Sequence, residues 1–267
     1  MTNCIIGGCY GYQYDQIKYW INSINRCGFE GDKVLILFDA SDELANKVQE
    51  QGFIVVRAQQ DPNIAPHVMR FIAIYDYLSQ REYEKVVTTD VRDVVFQYDP
   101  VRWLYDHAYD HKIVCGSEGL YYRDEPWGNQ NLYETFGPYI YERFKNNVIF
   151  NVGVLGGDGE CIRDLVLNIA VNSLNRPIKI CDQAVFNFLI QNKIYEEQTF
   201  FARSTDGWAT QLGTFADPNK MHHFGPRLLE QGPEFDGTRV NINGQPFCIV
   251  HQYDRTVWRQ AIESLYS

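Results

Sequence analysis

The alternation of strand-like and helix-like segments in the N-terminal part of the chain constrains the fold more than any other feature. Short apolar runs that are typical of strands cover residues 4–8, 34–38, 53–56 and 85–89. Apolar side chains at helical spacing lie between these runs, over residues 13–27, 41–51 and 66–78. Ser41 is a predicted N-cap, and Pro66 suits a first helical turn. This βαβαβαβ order predicts an α/β fold whose mainly parallel central sheet carries helices on both faces.

The remainder of the chain is less regular, but it contains no linker, repeat or low-complexity tract. Strands are predicted over residues 112–115 and 148–155, and helices over residues 162–174 and 182–191. Residues 117–130 show no periodicity and are predicted to form a loop. Short strands and a terminal helix from about Arg255 are expected in the final third. We therefore expect the 267 residues to form one domain.

Charge and cysteine content narrow the possible functions. The formal net charge is −10, so the basic footprint of a nucleic-acid-binding protein is absent. The seven cysteines are scattered and include no CxxC pair, which argues against a zinc site and a disulfide framework. A reducing, cytoplasmic location is the expectation. The N-terminus lacks a basic n-region, and no apolar stretch approaches the length of a membrane span, so neither a signal peptide nor a transmembrane segment is expected.

The most informative motif is the end of the fourth predicted strand. The apolar run before Asp90 stops abruptly, and Asp93 follows three positions later with Arg92 beside it. Parallel strands of α/β folds present functional groups at their carboxyl ends, and two carboxylates there suit a divalent cation that also holds phosphate oxygens. The structural alternative is a turn capped by one aspartate, with a surface salt bridge to Arg92.

This segment, Thr-Asp-Val-Arg-Asp-Val-Val-Phe-Gln, resembles the acidic motif of the GT-A glycosyltransferases, which use an Asp-x-Asp signature to hold Mn²⁺ or Mg²⁺ on the diphosphate of a sugar nucleotide. Three later segments, Asn151–Gly157, Asp182-Gln183 and Val250–Arg255, are similar to the family's sugar-site strand, its Asp-Gln pair and its late metal-binding histidine. The spacing here is Asp-x-x-Asp, so the division of roles between the two aspartates stays open. The resemblance implies a GT-A (Rossmann-like) fold with a smaller β region on the acceptor side.

The resemblance also implies a role for each candidate residue. Asp90, Asp93 and His251 would hold Mn²⁺ or Mg²⁺, with His222 and His223 as a second choice for the histidine ligand. Asn151 would meet hydroxyls of the donor sugar; its alternative partners are neighbouring backbone groups. Asp182 would act as a general base or contact the donor sugar, together with Gln183; its alternative is to cap the helix that follows it.

Five further residues are candidates for binding the nucleotide. Gly8 and Tyr10 belong to a glycine-rich turn after the first strand, where backbone approach and base stacking are possible. Asp39 ends the second strand and is assigned to the nucleotide as well. Arg70 and Arg92 can pair with phosphate oxygens, although surface salt bridges are an equally good account of them. Two tryptophans in polar segments, Trp127 and Trp208, either stack on an acceptor sugar or anchor a loop.

The predicted activity is therefore metal-dependent transfer of a sugar from a nucleotide-diphosphate donor, expected to be a UDP-sugar, to a glycan or other hydroxyl acceptor. Residues 1–100 would bind the nucleotide and residues 101–267 the sugar and acceptor. The alternatives are a non-catalytic sugar-nucleotide or carbohydrate-binding module and, less favoured, a sugar-nucleotide pyrophosphorylase, whose glycine-rich signature is not matched after the first strand. A DxDx[TV] phosphatase has the wrong aspartate spacing.

Overall fold

The computed structural model describes residues 2–267, which form thirteen strands and eleven helices. The strands are β1 (Thr2–Tyr10), β2 (Asp32–Phe38), β3 (Ile54–Ala58), β4 (Tyr83–Thr89), β5 (Val94–Phe96), β6 (Ile113–Tyr121), β7 (Val148–Asp158), β8 (Thr199–Ala202), β9 (Ala209–Gln211), β10 (Glu234–Phe235), β11 (Val240–Ile242), β12 (Gln245–Pro246) and β13 (Ile249–His251). The helices are α1 (Tyr14–Arg26), α2 (Asp42–Glu50), α3 (Pro66–Leu78), α4 (Pro100–His107), α5 (Pro126–Phe144), α6 (Gly159–Ser173), α7 (Asp182–Ile190), α8 (Lys193–Glu196), α9 (Leu212–Phe215), α10 (Met221–Phe224) and α11 (Arg259–Leu265).

Seven strands form the central sheet in the order β3-β2-β1-β4-β7-β6-β8. Every neighbouring pair is parallel except the two pairs made by β7, which runs antiparallel to both β4 and β6. The predicted α/β class with a mainly parallel sheet and helices on both faces is therefore confirmed. Because β7 runs backwards between β4 and β6, its early residues lie beside the carboxyl end of β4.

The inner strands of the sheet are buried on both faces, which explains why each of them contains a continuous apolar run. Alternate residues of β1 point to opposite faces, as the period of a strand requires. Ile5 belongs to a core cluster shared with Trp20 of α1, whereas Ile6 packs in a cluster with Phe71 of α3 and Ile162 of α6. The helices thus cover the sheet as two layers, and the carboxyl edge of the parallel strands stays accessible.

Two small sheets complete the fold. β13 pairs with β5 in antiparallel orientation and with β9 in parallel orientation, and the antiparallel strands β10, β11 and β12 form the other sheet. Since only four residues separate the end of β4 from the start of β5, the segment 90–93 is the direct connection between the central sheet and the β5-β13-β9 sheet.

One local prediction is wrong. Residues 117–130 are not a loop: β6 continues through Tyr121, and α5 begins at Pro126. Helical periodicity is weak in this helix because it contains glycines and Pro138, with a break at Gly137 (φ 75°). The terminal helix starts at Arg259 rather than near Arg255. Among the described residues no helix is both long and apolar enough to cross a membrane, and all seven cysteines are free.

Candidate metal centre and ligand cleft

The segment after β4 forms a short turn that is fixed at both ends by backbone hydrogen bonds. The Asp90 N–H donates to the carbonyl of Gly153 on β7 (2.8 Å), and the Gln252 N–H donates to the carbonyl of Asp93 (2.7 Å). Asp93 is buried, whereas Asp90 keeps about a third of its side chain exposed. Two carboxylates three residues apart are thereby held at the junction of the two sheets and face the same space.

His251 reaches this space from the neighbouring strand. It lies opposite Val94 in the β13–β5 pair, and the parallel pairing with β9 places it beside Gln211. The Nδ1 atom lies 2.7 Å from Gln211 Oε1, so the Nδ1–H donates to the amide oxygen and Nε2 carries the free lone pair. Nε2 lies 3.5 Å from Asp90 Oδ2 and 3.7 Å from Asp93 Oδ1. Burial lowers the pKa of His251, which keeps the imidazole in the neutral form that binds metals.

The residues present fit a divalent metal ion. Ligand atoms of Asp90, Asp93 and His251 all lie within 4.8 Å of one another. Two carboxylates and one imidazole form a mixed oxygen and nitrogen donor set of the kind that binds divalent metal ions. The hydrogen bond that Nδ1–H donates to Gln211 Oε1 orients the imidazole, as such bonds usually do for histidines that bind metals. A Cβ on Gly153 would lie 2.6 Å from His251 Cε1 and 2.8 Å from Asp90 Oδ2, so a side chain there would fill the space between the ligands.

Arg70 connects this centre to the other candidate carboxylate. Its guanidinium pairs with Asp90 through Nη1 and with Asp182 through Nη2, the latter at 3.2 Å. Arg70 and Asp182 are both largely buried. Burial lowers the pKa of Arg70, and the negative charge of Asp182 partly offsets this decrease. Asp182 is the first residue of α7 and makes no cap hydrogen bond, because the N-cap is Cys181. The capping alternative is thus wrong, and the carboxylate faces the cleft beside Arg70.

A buried carboxylate that the sequence interpretation missed organises the centre of the cleft. Glu118 Oε1 accepts hydrogen bonds from Asn151 Nδ2 and Gln183 Nε2, both at 2.8 Å, and Oε2 accepts one from Thr214 at 3.3 Å. The amide oxygens of Asn151 and Gln183 in turn accept N–H groups of β7. Glu118 therefore fixes the orientation of two predicted sugar-site residues. The available signal was a carboxylate three positions after the apolar run 113–115, comparable to Asp90 directly after the run 85–89.

Two connected clefts lie along the carboxyl edge of the sheet. The larger has a volume of about 450 Å³ and contains the predicted residues Arg70, Asp90, Asn151, Asp182, Gln183 and His251. The smaller has a volume of about 280 Å³ and is lined by the predicted residues Gly8, Tyr10, Arg70, Asp90, Arg92 and Asp93. Two further residues that line both clefts, His67 and Arg255, were not predicted as site residues. The fold thus brings together residues that are far apart in sequence and places Arg70 and Asp90 where the clefts meet.

Two nucleotide candidates are placed less favourably. Asp39 follows β2 in a left-handed conformation (φ 48°), is exposed, and accepts the Gln60 N–H; it lines neither cleft. Arg92 lines the smaller cleft, but its Nη2 pairs with Asp254 Oδ2 at 3.0 Å and its guanidinium lies over the Tyr12 ring. The salt-bridge alternative therefore describes Arg92 in this structure.

The remaining alternatives are resolved by burial. Trp208 is fully buried and packs on Trp103, with ring centroids 4.9 Å apart, so it anchors the core rather than a ligand. Trp127 remains about half exposed and lines the larger cleft. His222 and His223 lie on α10 and do not belong to the cluster of potential metal ligands.

In fold, the chain is similar to a glycosyltransferase of known structure. GlyE from Streptococcus pneumoniae TIGR4 superposes with a TM-score of 0.57 at 17% sequence identity, covering 99% of this chain and 60% of that one. The apo form of the same glycosyltransferase gives a TM-score of 0.52 at 17% identity, covering 94% and 54%. This chain thus spans 60% or less of those chains. No protein-family model matches the chain, and no curated protein matches it in sequence. At this identity the likeness establishes a glycosyltransferase-type fold.

Proposed function

We propose that the protein is a metal-dependent glycosyltransferase that moves a sugar from a nucleotide-diphosphate donor, a UDP-sugar, to a hydroxyl acceptor. The observation that carries the proposal is the convergence of Asp90, Asp93 and His251 at the junction of two clefts. The likeness to GlyE supports the same class of reaction.

The shape of the site supports a division of labour between the two clefts. The smaller cleft is lined by Tyr10 and Tyr12, whose rings suit stacking on a nucleobase, and by Gly8, where the backbone is open to a ligand. Residues 1–100 then supply most of the nucleotide site. The larger cleft, which belongs mainly to residues 101–267, receives the sugar and the acceptor.

The charges around the junction suit a leaving diphosphate. When bound by Asp90, Asp93 and His251, Mn²⁺ or Mg²⁺ would supply a positive charge that stabilises the diphosphate as it departs. Arg70 lies at the same junction and can donate a forked pair of hydrogen bonds to phosphate oxygens. Arg255 lines both clefts and is exposed, so it can donate to the same group.

The buried polar groups of the larger cleft account for sugar binding and reaction. Asn151 and Gln183 are held rigidly by Glu118, so they can present fixed hydrogen-bonding groups to donor hydroxyls. Asp182 faces the cleft as a carboxylate paired with Arg70, and from there it can accept a proton from the acceptor hydroxyl or hold the donor sugar.

A screen of nucleotide sugars tests the proposal. Release of UDP or GDP is measured with and without Mn²⁺, and the product is then identified by NMR. Replacement of Asp93 by Ala should abolish metal-dependent UDP binding in calorimetry while the chain stays folded, because the variant removes a ligand without creating an unpaired buried cation. The matched control is Asp106→Ala, which changes an exposed aspartate on α4 that pairs with Arg102 at the surface.

The outcomes separate the proposed enzyme from its alternatives. Unchanged Mn²⁺-dependent UDP affinity in Asp93→Ala would refute the metal assignment. Tight metal-dependent binding of UDP without release of UDP from any sugar nucleotide would instead indicate a non-catalytic binding module.

A further inference from the structure

Trp127 is unlike the other tryptophans of the chain. Trp20, Trp103 and Trp208 are almost completely buried in the core, and Trp258 packs against Phe235. Trp127 is 51% exposed and lines the larger cleft. An apolar ring of this size would stabilise the fold more if it were fully buried. Its exposure in the cleft therefore suggests a role in ligand binding.

Trp127 lies in the first turn of a helix whose start is fixed by hydrogen bonds. Trp127 is the second residue of α5, after Pro126 in the first helical position. The buried Glu125 carboxylate caps this helix by accepting the Gly128 N–H through Oε2. Asn131, one turn further along, donates through Nδ2 to the carbonyl of Ile180 at 2.6 Å. These contacts tie the start of α5 to the segment that leads into α7, and so fix this part of the cleft lining.

The order of groups along the two clefts places Trp127 on the side of the junction that the proposed function assigns to the sugar and the acceptor. Tyr10 lines only the smaller cleft, Arg70 and Asp90 line both, and Trp127 lines only the larger. A sugar nucleotide whose diphosphate lies at the shared junction places its base toward Tyr10 and its sugar beside Asp182 in the larger cleft. Trp127 then lies in the cleft that receives the sugar, away from the base.

The chemistry around Trp127 matches a pyranose ring. Trp127 and the exposed Ile180 offer an apolar surface, to which a pyranose can turn its C–H face. Glu125 and Lys220 line the same cleft, and their carboxylate and ammonium groups can hydrogen-bond to the ring hydroxyls. Burial raises the pKa of Glu125. The charge of Glu118 raises this pKa further, whereas the charge of Lys220 lowers it.

We propose that Trp127 is a stacking platform for a pyranose residue of the acceptor, so that the acceptor is a glycan or glycoside rather than a side-chain hydroxyl of a protein. This inference rests on the proposed transferase function and goes beyond it by naming the acceptor class and a specificity-determining residue.

The test compares Trp127→Ala and Trp127→Phe with Tyr139→Ala, a matched control because Tyr139 lies on the same helix, is more exposed and does not line the cleft. Lactose, cellobiose, N-acetyllactosamine and methyl glycosides serve as probes, together with a serine-containing peptide. Stimulation of UDP release is measured for each probe with the donor identified in the screen. In Trp127→Ala, the KM for the stimulating saccharide should rise about tenfold relative to the donor KM. Trp127→Phe should recover most of the loss, and Tyr139→Ala should match the wild type.

Several results would overturn the proposal: an unchanged saccharide KM in Trp127→Ala, an equal rise in Tyr139→Ala, or stimulation by the peptide alone. A wild-type enzyme that hydrolyses a donor but responds to none of the saccharides would overturn it too. Tryptophan emission supplies a second test that does not need turnover. Saccharides should quench a component that disappears in Trp127→Phe, since that variant keeps an aromatic ring and removes the fluorophore. If no donor is hydrolysed, this quenching still reports a pyranose site at Trp127, and its absence counts against one.

Discussion

The substitution Gly153→Ala tests the metal centre, because the added methyl group would occupy the space between the candidate ligands. A Cβ on Gly153 would lie 2.6 Å from His251 Cε1, and 2.8 Å from both Asp90 Oδ2 and Asn151 Oδ1. Ordinary van der Waals contact begins near 3.4 Å, and the difference from 2.6 Å means that the imidazole must recede by about 0.8 Å. Metal–ligand distances tolerate only about 0.2 Å, so Gly153→Ala should disable the site.

The expected result has two parts. Mn²⁺-dependent affinity for UDP should fall by at least about 10–100-fold, the range seen when the surroundings of metal ligands are disturbed. The free energy of unfolding should fall by about 1–3 kcal/mol, as is usual when a well-packed region receives an extra methyl group. Isothermal calorimetry with Mn²⁺ and UDP measures the first quantity, and urea denaturation measures the second.

Gly156→Ala is the matched control, because Gly156 lies on the same strand. Its Cβ would clash with the ring of the buried Trp208 at 2.8 and 2.9 Å and is not close to any candidate ligand. The control should lose similar stability but keep its affinity for Mn²⁺ and UDP. Wild-type affinity in Gly153→Ala, or an equal loss of affinity in Gly156→Ala, would show that the space beside Gly153 is not the metal site.

Two further predictions concern the ionisable groups of the cleft. Asp182→Asn should lower kcat by about 10²–10⁴-fold with a much smaller change in donor affinity, since a base or transition-state contact acts on the reaction; a loss confined to the donor Kd would mark Asp182 as a binding residue. The pKa of His251 is lowered in the folded chain. Below pH 6.5, the ordinary pKa of histidine, the imidazole is therefore protonated in the unfolded chain but stays neutral in the folded chain. The free energy of unfolding should therefore decrease as the pH falls through about 6.5, and this part of the slope should disappear in His251→Gln. Urea denaturation at about pH 7.5 and about pH 5.5 measures the difference, and parallel profiles for the two proteins would contradict the neutral, buried imidazole.

The N-terminal half of the fold was predictable because its signals are local. Pro66 at a first turn and Ser41 as an N-cap both appear in the structure as expected, with Ser41 Oγ accepting the Leu44 N–H. The apolar runs of β1, β2 and β4 are buried on both faces, which is the condition that makes such strands recognisable without alternation. Helix α5 escaped prediction because its glycines and Pro138 disturb the helical period, and its start is fixed instead by the capping contact of Glu125.

For the candidate site, the sequence predicted which residues are functional, and the fold determined which of them lie in contact. Asp90, Asp93, Asn151, Asp182 and His251 were singled out from strand ends and motif order. Glu118 was missed because its strand was predicted to end at Cys115, six residues before the observed end of β6 at Tyr121. Gln211 orients the imidazole only because β9 and β13 pair in a particular register, and nothing local to either strand specifies that register.

The sequence by itself determined the α/β class, the parallel strands and the acidic turn after β4, because hydrophobic period and strand-end polarity are properties of neighbouring residues. Tertiary structure alone decided that Arg70 joins Asp90 to Asp182, that Trp208 is core while Trp127 faces the cleft, and that Asp39 lies outside it. The physical reason is distance along the chain. Contacts between residues separated by a hundred positions or more depend on the order and register of strands in the sheets, which the local pattern does not encode.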